Sequence, residues 1–172
     1  MTGKKFLNTL ANGKVDVIKE FFDLLAELKI DYCLIGGIAV NAYAEPVVSM
    51  DLDLVIALDD SEKLIKMSSD KFKVEEFPHS INLTHPKSDL RIQIQTDLRY
   101  QSFIPSAKEM DVLGYQLKVA ALEDVLQGKI WAYQDESRRK SKRQKDLADI
   151  MRLVETHKHL YDLLPQNIKD IF

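Results

Sequence analysis

Apolar residues at Val15, Ile18, Phe22, Leu25 and Leu28 recur every three or four positions, which predicts an amphipathic helix over Lys14–Leu28 lying against a sheet. Asp31–Ile35 reads as a short buried strand, Ile38–Ala44 opens like a helix, and Leu52–Leu58 is a second strand. Ser61–Met67 is a short helix with Ser61 or Asp60 as its cap. Phe72–Phe77 and Ile81–Thr84 are weaker strand candidates separated by Pro78 and His79, and Leu90–Gln95 forms the next strand. Asp97–Lys108 reads as loop or broken helix, and Gly114–Val119 as a further strand. From Leu122 the pattern is helical to Val154, interrupted near Asp135–Ser141, and Pro165 sets off a final short helix. This order of elements predicts an α/β (α+β) fold with helices at its C-terminal end.

With 172 residues, the expectation is one domain over 1–172, with a core at about 14–120 and a helical part at about 121–172. A net charge of -3 gives no reason by itself to expect nucleic-acid binding. The lone Cys33 lies in an apolar strand, reads as a small core residue and has no second thiol with which to pair. No apolar run reaches signal-peptide or membrane-spanning length, so no membrane partner and a cytoplasmic location are expected.

Within this frame two short patterns carry candidate chemistry. Gly36-Gly37 directly follows the first strand, where glycine lets the backbone turn sharply and approach a phosphate closely; the bland alternative is a plain turn. Asp51 and Asp53 are two residues apart on a strand and so share a face, about 7 Å apart along the chain, with leucines on the opposite face. Two such carboxylates suit a hard cation such as Mg2+ or Mn2+, although an Asp-x-Asp on an amphipathic strand is otherwise a solvated face. Arg138, Arg139, Lys140, Lys142, Arg143 and Lys145 put six cations in eight residues, which points to a phosphate or RNA contact or else to a solvated helix start. His79, His85, His157 and His159 show no zinc-site spacing and read as structural or surface residues, while Trp131 and Tyr133 read as core or groove wall.

The strings Gly36-Gly37, Asp51-Leu52-Asp53, Leu122 to Lys129 (LEDVLQGK) and Lys145-Asp146-Leu147-Ala148-Asp149 follow in an order that resembles the DNA polymerase beta-like nucleotidyltransferase superfamily. Within it the chain looks most like the minimal bacterial branch that includes the abortive-infection type toxins. The resemblance implies a nucleotidyltransferase-like mixed sheet flanked by helices. It also implies an enzyme that transfers a nucleoside monophosphate from a nucleoside triphosphate to an acceptor such as a tRNA end, a protein hydroxyl or an aminoglycoside-like molecule. Mg2+ or Mn2+ would be held by Asp51 and Asp53, the phosphates by Gly36 and Gly37 with Ser49, and leaving-group charge by Lys129, with Asp146, or equally Asp149 one turn further on, orienting Lys129, binding nucleotide or supporting the site through a salt bridge. An antitoxin protein is the further partner that the toxin-like branch implies. Two departures stand out: Val47 occupies a position where that branch often carries Arg, and Gln93 lies nearest the place of a third carboxylate. A neutral amide cannot take a proton from the nucleophile. Asp89 and Asp97 share its face if the strand is regular, but each lies roughly 13 Å away. The rival reading is a catalytically degenerate nucleotide-binding or RNA-binding regulatory module.

Overall fold

The computed structural model describes residues 2–172. Its first helix, α1 (Gly3–Leu10), is one the sequence pattern did not predict; Thr2 caps it by accepting from the Lys5 N–H. The helix expected from Lys14 begins later, as α2 (Val17–Glu27), because Asp16 caps it through the Lys19 N–H at 3.0 Å. After β1 (Tyr32–Ile35) the chain turns at once into the short helix α3 (Gly36–Val40), two residues earlier than expected. Then follow β2 (Asp51–Ile56), α4 (Ser61–Ser68), the hairpin of β3 (Lys73–Phe77) and β4 (Ser80–Thr84), and β5 (Arg91–Gln95). A 3-10 turn covers Leu98–Phe103 and leads to a second hairpin, β6 (Lys108–Val112) and β7 (Tyr115–Val119). Helices α5 (Leu122–Gln134) and α6 (Lys140–Thr156) come next, broken where expected, and α7 (Gln166–Lys169) follows Pro165.

The strands form one mixed sheet of order β3-β4-β5-β2-β1-β7-β6. β2 lies inside it, parallel to β5 and antiparallel to β1, and β1 runs parallel to β7. This is the mixed sheet flanked by helices that the family resemblance implies.

Alternation along β2 positions the site. Leu52 and Leu54 are fully buried, as are Ile92 and Ile94 on β5, in a core shared with Phe21, Leu25 and Leu64. Burying each such side chain stabilises the fold by about 2 kcal/mol, and a one-residue slip would turn them all to the wrong face. The leucines therefore fix which way Asp51 and Asp53 point. The apolar core is continuous from Leu7 to Ile168, so α1 and the C-terminal helices pack into the same body as the sheet. Among the described residues, no helix is long and apolar enough to cross a membrane.

Candidate active site

Asp51 and Asp53 stand on one face of β2, at the floor of a cleft of about 220 Å³ whose walls include Gly36, Gln93, Lys129, Arg138 and Lys142. Gly36 is the point of closest approach. Its φ is +71°, and a Cβ there would lie 2.2 Å from Asp53 Oδ2. Only glycine meets both demands. Gly37 differs from it: a Cβ would meet Ser49 Oγ at 3.5 Å, an ordinary contact.

The two carboxylates sit in different fields. Asp51 Oδ1 meets Arg91 at 2.6 Å and Asp51 Oδ2 meets Lys142 Nζ at 2.9 Å. Burial pushes the Asp51 carboxyl up, but its contacts with Lys142 and Arg91 outweigh this and hold it below the usual carboxylate range. Asp53 makes no ion pair among the described residues. Burial raises its carboxyl to about 6, reinforced by Asp51 and opposed by the more distant charges of Lys129, Arg138 and Lys142. The site thus pairs a compensated acid with one that lacks a cation.

Behind them lies a buried charge network that joins α5 to α6. Lys129 Nζ is 3.0 Å from Asp146 Oδ1 and 2.7 Å from Asp149 Oδ2. Burial opposes the Lys129 charge, yet Asp149 and Asp146 hold its pKa above the ordinary lysine range. Arg138 Nε reaches Asp146 Oδ2 at 2.7 Å, and Arg152 reaches Asp149 Oδ1 at 2.7 Å. Arg152 also donates to Asn41 Oδ1 at 2.9 Å and to the Glu45 carbonyl. Asn41 in turn grips both backbone groups of Val47, at 2.8 and 2.9 Å. α6 therefore pins the loop that leads into β2.

Of the residues singled out from the sequence, Gly36, Asp51, Asp53, Gln93, Lys129, Arg138, Lys142 and Asp146 line the cleft together. Gln93 lies directly opposite Asp53 in the parallel β2–β5 register, so an amide does occupy the neighbouring-strand position. Ser49 is buried beside Gly37 and outside the cleft lining; its hydroxyl bonds weakly with Asp51 backbone groups at 3.4 Å and with Lys145 at 3.5 Å. The basic run divides between the bend before α6 and the first turns of α6. Arg138 and Lys142 face inward, Arg143 donates to the Tyr133 carbonyl at 2.6 Å, and Arg139 and Lys140 are exposed. Asp89 and Asp97 do not line the cleft, although Asp97 lines an adjoining groove with His79, Arg99 and Trp131.

Sequence reasoning missed Arg91, Asn82 and Arg152. The signal for Arg152 was present: 142, 145–146, 149 and 152 recur at the spacing of one helix face. Arg91 becomes visible only through the register that sets it opposite Asp51.

No protein-family model matches the chain, and no curated protein sequence matches it significantly. Solved structures do. ANT(2")-Ia, in complex with adenylyl-2"-tobramycin, superposes with a TM-score of 0.65 at 15% identity, over 90% of this chain and 92% of that one. The fold is that of the nucleotidyltransferases. The lincosamide antibiotic adenylyltransferase LnuA, lincomycin-bound, gives a TM-score of 0.56 at 15% identity over 82% of this chain and 98% of its own. A putative nucleotidyltransferase from Thermotoga maritima gives 0.54 at 14% identity, over 77% and 91% of the two chains.

Proposed function

We propose that the protein is a nucleotidyltransferase that moves a nucleoside monophosphate from a nucleoside triphosphate to an acceptor, with a divalent cation held by Asp51 and Asp53. The observation that carries this reading is the pair of carboxylates on one face of β2, at the floor of a cleft whose walls carry Arg91, Lys129, Arg138 and Lys142.

The donor set fits Mg2+ or Mn2+. Among the described residues no cluster of three His, Cys, Asp or Glu could hold a metal, but Mg2+ commonly takes one or two carboxylates and completes its shell with water and substrate phosphates. Asp53, buried and without an ion pair, is the acid that such a cation would compensate. When bound, the metal would neutralise phosphate oxygens and activate the attacking oxygen.

The chain's own residues supply placement and charge. Gly36 leaves the Asp53 carboxylate the room it occupies. Arg91 and Lys142, which hold Asp51 in the free protein, are positioned to pass to phosphate oxygens once a cation takes that carboxylate. Lys129 acts chiefly by holding α5 to α6, and its field favours the charged form of Asp53. Positioning and electrostatic compensation of this kind dominate such transfers.

A small-molecule acceptor fits the adjoining groove of about 350 Å³ lined by His79, Asp97, Arg99 and Trp131. The solved neighbours bound to lincomycin and adenylyl-tobramycin support that class. With Arg138, Lys142 and Arg143 engaged, RNA would find only Arg139 and Lys140 fully exposed in the basic run. The toxin-like motif string adds an antitoxin protein as a proposed partner, which co-purification of the product of an adjacent gene would test.

Transfer is tested by supplying ATP labelled at the α-phosphate with acceptor mixtures of small molecules, tRNA and protein. Label on an acceptor with release of pyrophosphate, lost in Asp51→Asn and Asp53→Asn, is the expected result. The amide of Gln93 opposite Asp53 favours a second reading, a nucleotide-binding regulatory module. Metal-dependent binding without transfer to any acceptor would select it.

A further inference from the structure

We infer that Arg138 binds the α-phosphate of the nucleotide, because it stands where the metal cleft and the adjoining groove meet and keeps both Nη groups free to donate. The inference rests on the nucleotidyl-transfer reading and adds to it the cation that holds the group being transferred.

The cleft around Asp51 and Asp53 and the groove around Asp97 and Trp131 share Gln95, Tyr100, Ala132 and Arg138 in their linings. Arg138 is the one charged residue among these. In any transfer of a nucleoside monophosphate, the α-phosphorus lies between the departing pyrophosphate and the attacking atom. With the triphosphate and its metal in the cleft and the acceptor in the groove, that point falls at the boundary of the two cavities. Arg138 is also near enough to Asp53 for its charge to favour the carboxylate there.

The other cations of the cleft are committed elsewhere. Arg91 and Lys142 are paired with Asp51 and must leave it before they can meet a phosphate. Lys129 is buried between Asp146 and Asp149. Arg138 spends only its Nε, which donates to Asp146 Oδ2 at 2.7 Å; neither Nη group has a hydrogen-bond partner among the described residues. Of its side chain 37% is exposed. The free Nη groups form a planar fork that can meet a pair of phosphate oxygens at once, which an ammonium cannot do.

The fork is held from both ends. Arg138 lies in the bend between α5 and α6, which Asp135 staples. The Asp135 carboxylate accepts from the Ser137 N–H at 3.0 Å and hydroxyl at 2.6 Å, and its carbonyl accepts from the Arg138 N–H at 3.1 Å. At the other end Asp146, itself held by Lys129, anchors Nε. An arginine fixed in this way loses little freedom when phosphate arrives, and its charge acts on the transferred group without reorganisation. Lys129 and Asp146 thereby become positioning residues that act through Arg138.

The test is calorimetric. α,β-Methylene analogues of ATP, GTP, CTP and UTP are titrated in Mg2+, and the base that binds tightest sets a series of its nucleoside, its 5′-monophosphate and inorganic pyrophosphate. In the wild type the monophosphate is expected to bind about tenfold or more tighter than the nucleoside, the margin of a charge-assisted hydrogen bond. Arg138→Met is expected to remove that margin while nucleoside and pyrophosphate affinities change by less than about threefold. Arg138→Lys, which keeps a charge beside Asp146 but lacks the fork, is expected to reduce the margin in the same direction, and it decides alone if Arg138→Met does not fold. Equal weakening of all three ligands would make Arg138 structural, and weakening of pyrophosphate alone would assign it to the leaving group; either result overturns the inference. A wild-type monophosphate that binds no tighter than its nucleoside would also overturn it, while the nucleotide reading stands on binding of the analogue. Failure of every analogue to bind would overturn both.

Discussion

Gly36→Ala tests the geometry of the cleft at its tightest point. Residue 36 has φ +71°, where an L side chain costs roughly 1–2 kcal/mol. The added methyl would also fall 2.2 Å from Asp53 Oδ2 and 2.8 Å from Asp53 Cβ and Cγ, distances that require the carboxylate to move by nearly an ångström. Asp53 lies in an interior strand whose register is fixed by buried Leu52 and Leu54, so its side chain must rotate away because its backbone cannot follow. A displacement of about 1 Å in a catalytic group commonly costs about 100-fold in rate. The expected outcome is a loss of about 2 kcal/mol in urea unfolding and at least a tenfold loss of Mg2+-dependent nucleotide affinity by calorimetry. Gly37→Ala is the control: its Cβ meets Ser49 Oγ at 3.5 Å, and φ there is not positive. It should change stability by less than about 1 kcal/mol. Equal effects of the two substitutions would refute the reasoning, because the adjacent glycines would then be serving the same end.

Three more outcomes are expected. Lys129→Met should destabilise the fold by about 3 kcal/mol in urea unfolding, at the low end for a broken buried pair because Asp146 keeps Arg138 and Asp149 keeps Arg152; a loss below about 1 kcal/mol would show that the network is not structural. Asp53, whose pKa is raised to about 6, gives stability that is complete below its unfolded value near 4 and is lost as pH rises through 6. Metal-free Asp53→Asn should therefore exceed wild type in stability at pH 8 by at most about 3 kcal/mol, lose that margin at pH 4, and no longer gain thermal stability from Mg2+. Lys142→Met, which removes one of the two cations on Asp51, should tighten Mn2+ binding to the nucleotide-free protein in paramagnetic titrations while weakening nucleotide binding.

The parts of the fold legible in the sequence are those where burial dictates pattern. Leu52 and Leu54 announced β2 and with it the shared face of Asp51 and Asp53, and the break at residues 135–139 between α5 and α6 was visible as a polar run. β6 escaped notice because only Val112 of Lys108–Val112 is buried; this edge strand is held by pairing with β7 across a turn in which Leu113 and Gly114 both have positive φ. α1 was hidden for a similar reason, since Leu7 is its one buried residue. At the site, residue types were legible while partners were not. That Gln93 faces Asp53, and that Arg91 holds Asp51, depends on a β2–β5 register between strands about forty residues apart. The basic run was visible as charge, but its division into cleft-facing Arg138 and Lys142 and exposed Arg139 and Lys140 follows from the bend at Arg138 and from how α6 packs.

The most direct measurement is calorimetric titration of each nucleoside triphosphate, with and without Mg2+, into the wild-type protein and Asp51→Asn. The expected result is binding of at least one nucleotide that requires the metal and is lost in the variant. Absence of binding to every nucleotide, or binding indifferent to both the metal and Asp51→Asn, would contradict it.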